Sequence, residues 1–290
     1  MTTFSCRPFE LNLSIRLSFF VLLLLSRAAG VLAQSSSRAD SALAPVPFGP
    51  GERITYSVHL GVAGKVGDGS IEVERIDTVH GFETYRLRMH VKGGILFAKV
   101  RDEYRSWLDV RQLISRRFYQ DVHEVGYDRT RTLEFFPAEL AWKCLGAAKC
   151  ADKMDSGPLP TAEPLDDLSF VFYARTLPLT VGETYTLNRY WKNDGNPVTI
   201  RVLRRDTVTV PAGTFPTIVV QPIIRTKGLF SEGGRAEIFF TDDERRIPVL
   251  INTRLDVPLL KSLKMQLLTY EPGKQIAPAI QHRVTSALQR

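Results

Sequence analysis

Cysteine is scarce in this chain. Three occur in 290 residues, and Cys6 lies in an N-terminal segment that reads as removed on export, which leaves Cys144 and Cys150. No second pair and no nearby histidine completes a zinc-type ligand set. The five residues between them suit a small disulfide loop, which an oxidising compartment permits. Long apolar runs are missing too. The longest, residues 17–25, is apolar but for Ser18, and it is too short for a bilayer span, which takes about 20 residues. Histidine spacing excludes the common metal motifs: no two of His59, His80, His90, His123 and His282 lie two, three or four apart. The Gly-x-Ser-x-Gly elbow, the phosphate-binding loop and the dinucleotide fingerprint are all absent, so no cofactor is implied. Without a basic run or recognition motif, nucleic acid is not an expected partner.

What is present first is an export signal. Arg7 and Arg16 precede the apolar run, and small residues ending in Val31-Leu32-Ala33 come before Gln34. That order is a basic region, a short apolar region and a cleavage site. Residues 1–33 are therefore expected to be a signal peptide cut after Ala33, and the mature protein is expected to be periplasmic with no transmembrane segment. Cleavage removes three arginines and one glutamate, so 38 minus 31 becomes 35 minus 30, a net charge of +5. The charges are interspersed, which reads as solubility, although a mild positive balance also favours anionic surfaces.

Residues 34–51 are rich in Ser, Ala and Pro and read as a flexible leader. Residues 52–270 read as a single β-rich domain, and residues 271–290 as a polar tail, disordered at its end. Period-2 alternation dominates: Ile54, Tyr56 and Val58 alternate with Arg53, Thr55 and Ser57; Tyr85, Leu87, Met89 and Val91 alternate with Arg86, Arg88 and His90. This pattern predicts half-buried antiparallel strands. Turns are expected over residues 61–69 and at His80-Gly81, a helical turn over residues 93–98, and a loop over residues 145–164. Residues 184–191 and 198–210 read as a hairpin around Asn193-Asp194-Gly195-Asn196. One helix is predicted over residues 165–176. Asp166 and Asp167 sit in its first turn, where carboxylates oppose the dipole, and Pro178 stops it. The fold class is therefore all-β, mainly antiparallel: a large curved sheet or partly closed barrel with one helix between two β halves.

Two residue groups stand out as candidate sites. Phe97, Tyr104, Trp107, Phe172, Tyr173 and Arg175 are candidates for lining an apolar cavity at the mouth of a curved sheet. Asp242, Asp243, Glu244, Arg245 and Arg246 form the densest charge cluster. The plainer reading is a hairpin turn whose arginines offset its acids; the sharper one is a Ca²⁺ site or an acid/base pair.

Three segments carry a resemblance. They are Pro164-Leu165-Asp166-Asp167-Leu168-Ser169-Phe170 running on to Tyr173-Ala174-Arg175-Thr176-Leu177-Pro178-Leu179; Thr209-Val210-Pro211-Ala212-Gly213-Thr214-Phe215; and Phe240-Thr241-Asp242-Asp243-Glu244-Arg245-Arg246-Ile247-Pro248. On a signal-bearing β-rich chain they resemble the bacterial exported family known as domain of unknown function 3108, over roughly residues 52–270. The resemblance implies a periplasmic setting and brings no catalytic residues. The favoured functional expectation is non-enzymatic: a lipid or other amphiphile, or an envelope protein, bound on the curved sheet. The alternative is a hydrolase or glycan-processing enzyme that gathers carboxylates from Asp102, Glu103, Asp166, Asp242 and Asp243 within about 5–10 Å.

Overall fold

The computed structural model describes residues 42–95, 98–124, 127–145, 155–224, 236–254, 262–276, 278–281 and 286–288. The strands are β1 (Ala42–Pro45), β2 (Arg53–Leu60), β3 (Lys65–Val79), β4 (Phe82–Ile95), β5 (Ala98–Asp109), β6 (Ser115–Glu124), β7 (Tyr127–Phe136), β8 (Ala141–Leu145) and β9 (Ser156–Pro158). Helix α1 (Asp167–Ala174) follows. Then come β10 (Glu183–Leu187), β11 (Val198–Val210), β12 (Gly213–Ile223), β13 (Ala236–Thr241), β14 (Pro248–Arg254), β15 (Ser262–Glu271), β16 (Pro278–Gln281) and β17 (Ser286–Leu288).

Fifteen of these strands form one antiparallel sheet in the order β17-β10-β11-β12-β13-β14-β15-β2-β3-β4-β5-β6-β7-β8-β9. The fold class expected from alternation is the one observed, with α1 between the two β halves and the sheet left unclosed. The pairing β15–β2 joins the halves. Six strand pairs shift register, including Val73/Arg75, Trp107/Leu108 and Val202/Arg204. Each such irregularity adds local twist and bend, so the sheet coils back on itself. The loop after β10 reaches the far side: Trp191 packs on Phe135 of β7 and Trp142 of β8, with ring centroids 5.9 and 5.7 Å away. A bridge between Leu165 and Tyr190 ties the strand-to-helix segment to the same loop.

Several local expectations change. The predicted helical turn over residues 93–98 is the top of a hairpin, since Ile95 pairs with Ala98. The turn expected over residues 61–69 is only a 3-10 turn at Gly61–Ala63; Gly67 and Gly69 lie inside β3. Their role is close approach: a Cβ on Gly67 would sit 2.3 Å from the Lys92 carbonyl oxygen. Within the loop expected over residues 145–164, Ser156–Pro158 adds a short strand to β8. β10 ends at Leu187 rather than residue 191, because Asn196 bonds the Tyr190 backbone N–H and carbonyl and holds residues 190–196 as a compact loop. The helix is shorter than residues 165–176, since Asp166 is its N-cap and Arg175 its C-cap.

The expected flexible leader is also partly structural. Val46 and Phe48 are buried in the core, and Phe48 meets Tyr85 and Phe172 edge-on at 5.3 and 5.0 Å. Composition hid this, because two apolar anchors suffice when the strands already offer a groove. The tail likewise carries strands: β16 pairs with β1 and β17 with β10.

Candidate functional site: the interior of the curled sheet

Alternation along β5 assigns the faces. Ser106 donates to Asp166 at the start of α1, 2.6 Å away, so Asp102, Tyr104, Ser106 and Leu108 point inward. Arg101, Glu103, Arg105 and Trp107 point outward. The outward face of β3–β7 is a charged lattice: Arg88 donates to Glu103 at 2.8 Å, Arg86 pairs with Glu74 at 2.8 Å, and Arg117 donates to Glu134 at 2.5 Å. Trp107 is covered there by the guanidinium groups of Arg86 and Arg117, and its indole N–H donates to Asp77.

The inner face has two unlike ends. At one, α1 seals it. Asp166 caps the helix by accepting from the Leu168 and Ser169 backbone N–H groups, while Ser169 Oγ accepts from the Asp166 N–H, a reciprocal capping box. Ser115 Oγ joins the node, 2.7 Å from Ser169 Oγ. Burial pushes the Asp166 carboxyl up to about 6, against the hydrogen bonds from Ser106, Ser169 and Ser115, which favour its charged form. Asp167 is raised as well, by burial, although the Tyr190 hydroxyl donates to it at 2.7 Å.

At the C-terminus of α1, Arg175 makes a two-pronged pair with Glu52, at 2.7 and 2.8 Å, with both side chains 1% exposed. Arg175 also donates to the carbonyls of Pro47 and Arg245, and its guanidinium lies beside the contacting rings of Phe48 and Phe172. Five segments therefore meet on one charge: the leader, the start of β2, α1, the β13–β14 turn and, through the Tyr270 hydroxyl on Glu52, β15.

Beyond the helix the inner face is only half covered. Met89, Val91 and Tyr104 are part-buried and pack on the edge of the core. Tyr104 lies about 7 Å along β5 from Ser106, and Asp102 about 13 Å. Beside them Arg131 donates to Gln120 at 2.6 Å, both buried, and Asp102 accepts from the His123 backbone N–H. A Cβ on Gly69 would come 3.1 Å from the Met265 methyl, so the glycine makes room for that side chain. The result is an apolar wall with a few converging polar groups.

The structure separates the residues picked from sequence. Tyr104 is in this half-covered region. Trp107 is on the opposite face, because the two are three apart on a strand of period 2. Phe172, Tyr173 and Arg175 are buried with the helix. Phe97 and Cys150 lie outside the described residues, while Cys144 is part-buried in β8. Asp242, Asp243, Arg245 and Arg246 form a turn. Asp243 accepts from the Thr241 hydroxyl, the Arg245 and Arg246 backbone N–H groups and the Arg245 guanidinium. Burial would raise its carboxyl, but these bonds outweigh it and hold it below the usual range. Asp242 pairs with Arg205 and Arg246. The five carboxylates considered for hydrolysis thus fall in four places: Asp102 inside, Glu103 outside, Asp166 at the helix N-cap, and Asp242 with Asp243 in a turn where arginines pair with both. Among the described residues no group of three or more His, Cys, Asp or Glu side chains is placed to hold a metal.

Sequence reasoning missed Glu52, Phe48 and the serines of the Asp166 node. The Asp-x-x-Ser spacing of residues 166–169 was a legible cap signal; nothing local marked Glu52.

The sequence profile of DUF3108, a protein family of unknown function, matches residues 55–266, which run from within β2 to within β15. The chain belongs to that family. The match spans both β halves and the helix, so the inner face of this DUF3108 member lies within the family's own domain. Two solved structures are similar. One, from Parabacteroides distasonis and described as a "putative lipoprotein", is 11% identical and covers 79% of this chain and 99% of its own, at a TM-score of 0.33. The other, from Bacteroides fragilis and described as a "putative exported protein with YmcC-like fold", is 12% identical over 79% of this chain and 100% of its own, at 0.27. No curated protein matches.

Proposed function

We propose that this DUF3108 member is an exported, periplasmic, non-enzymatic protein that holds an amphipathic molecule against the half-covered part of its inner face. The observation that carries this reading is the contrast within one face. Tyr85, Leu87 and Leu108 are sealed beneath α1, whereas Met89, Val91 and Tyr104 on the same strands are only part-buried. An apolar tail would lie along Met89, Val91 and Tyr104, and a polar head would meet Gln120, Arg131 and Asp102, the mixture of surfaces that small-molecule sites use. Export rests on residues 1–33, with cleavage after Ala33, and a Cys144–Cys150 disulfide fits that compartment.

The test is native mass spectrometry of protein purified from the periplasm, followed by organic extraction. A stoichiometric amphiphile that disappears in Val91→Arg, with the fold intact by circular dichroism, is expected. A clean apo mass for the wild type would overturn the reading. The same preparation reports the mature N-terminus and, by alkylation before and after reduction, the thiol state.

A further inference from the structure

The half-covered part of the inner face is graded in polarity across the strands. One cross-strand row runs through Ile71, Met89, Tyr104, Gln120 and Arg131, on β3, β4, β5, β6 and β7. Side chains in one row share a face, so the row passes from two apolar groups through a phenol to an amide and a guanidinium. Three strand spacings of about 4.8 Å separate Met89 from Arg131, so the gradient extends over about 14 Å. Resting on the reading that an amphipathic molecule lies here, we propose that its head group is an oxyanion, a carboxylate or a phosphate, held by Arg131, Gln120 and Trp191. Its chain would cross β5 towards Met89 and Val91.

Three observations carry the proposal. The first is an unanswered donor. Trp191 is 1% exposed, and its indole N–H has no hydrogen-bond partner among the described residues. A buried donor without an acceptor is a standing cost to the fold, which an incoming acceptor removes. Two cations flank the same ring: the Arg131 guanidinium lies 5.6 Å from its centroid and the Lys192 ammonium 5.0 Å.

The second is the sense of the hydrogen bonds. Arg131 Nε donates to Gln120 Oε1 at 2.6 Å. That bond uses the oxygen of the amide, so what Gln120 still offers is its NH2, a donor, and arginine can only donate. A head group meeting these residues must therefore accept. Two acids of the region already accept from the protein: Asp102 from the His123 backbone N–H at 3.1 Å, and Asp167 from the Tyr190 hydroxyl at 2.7 Å. Asp102 stands on β5, where its carboxylate repels an anion and confines the head to the β6–β7 end of the row.

The third is burial. Gln120 and Arg131 are 8% and 6% exposed, and a charge-assisted bond gains strength where water is excluded. The arginines of the outer lattice differ: Arg88 and Arg86 are matched by Glu103 and Glu74 on their own face.

Isothermal titration of the delipidated mature chain at pH 8 tests this with decanoate, decyl phosphate, decanol and decylamine, which share one chain and differ in head group. At least one of the two anions is expected to bind about tenfold or more tighter than decanol, with decylamine weakest. The tighter anion names the source, a fatty acid for decanoate or a phospholipid fragment for decyl phosphate. Arg131→Gln should weaken the anions about tenfold and leave decanol unchanged, while Arg131→Lys should keep the preference for anions. Trp191→Phe, which removes only the N–H from an aromatic contact, should weaken the anions about threefold or more. Arg101→Gln, the same change of charge on the outer face of β5, should bind like the wild type. Decanol or decylamine binding the wild type as tightly as both anions overturns the anionic head and leaves inner-face binding standing; so does Arg131→Gln with its preference intact. Binding of none of the four overturns the inner-face reading as well. The wild-type comparison decides the matter even where a variant fails to fold.

Discussion

The two ends of the curled sheet are built from similar strands and hold together by different means. At the helix end, the leader, the β13–β14 turn and β15 close on the Arg175–Glu52 pair, and Asp166 is buried among serine hydroxyls and backbone N–H groups. At the other end, among the described residues, the turn Gly61–Ala63 presents Val62 to solvent, Lys65, Lys92 and Lys99 are exposed, and the inner face is left half covered. One end is therefore a closed network of buried polar groups. The other keeps its polar groups few and its apolar groups near water, the arrangement expected where stability is given up for contact with something else.

The contrast breaks most readily at the ion pair. Arg175→Ala leaves Glu52 charged and unpaired in the interior and is expected to destabilise by about 3–5 kcal/mol, read as a lower denaturant midpoint. Replacing the pair together, as Arg175→Met with Glu52→Leu, should recover most of that loss. If the double variant is no better than the single, the charge itself is not the cause. Phe48→Ala comes next, with about 3–4 kcal/mol lost through the cavity between Tyr85 and Phe172. A loss below about 0.5 kcal/mol would mean that the leader is not part of the core.

Asp166 sharpens the comparison through pH. Its folded carboxyl sits near 6, above the 3.8 of an unperturbed Asp, so the folded state holds its proton where the unfolded state has released it. Its contribution is therefore greatest below about pH 4 and is lost as pH rises to about 6, a change on the order of 2–3 kcal/mol. Asp166→Asn, which can still cap the helix, should flatten that part of the stability–pH curve relative to wild type. Carbon-detected NMR of the Asp166 carboxyl should give the midpoint directly; a value near 4 would refute the argument. The smallest effect belongs to the other end. Val62→Asp should leave stability within about 0.5 kcal/mol of wild type, as an exposed turn permits. A larger loss would show that the tip is part of the fold rather than a surface.

Much of this was written locally. Ile54-Tyr56-Val58 and Tyr85-Leu87 announced strands and their inward faces, and Asp166-Asp167 before Leu168 announced a helix start. The turn at Asp242 to Arg246 was legible because aspartate bonds its own backbone. What was not legible involved partners distant in sequence. Arg175 reads more readily as a cation paired with a carboxylate of the sheet than as a ligand-binding one, but no local pattern says which carboxylate, and Glu52 is 123 residues away. Tyr104 and Trp107 read as one aromatic group until the strand puts them on opposite faces. Phe48 sits in a segment whose composition argues for disorder, and only the groove between Tyr85 and Phe172 overrules it.

The sequence by itself determined the antiparallel strands, the helix between the two β halves and its cap, because these depend on periodicity and on contacts within a few residues. The tertiary structure decided which end of the sheet is sealed and which is left open. That depends on how register shifts coil the sheet until Trp191 meets Trp142, and on which side chains a buried charge gathers around it. Both are long-range outcomes that no local pattern encodes.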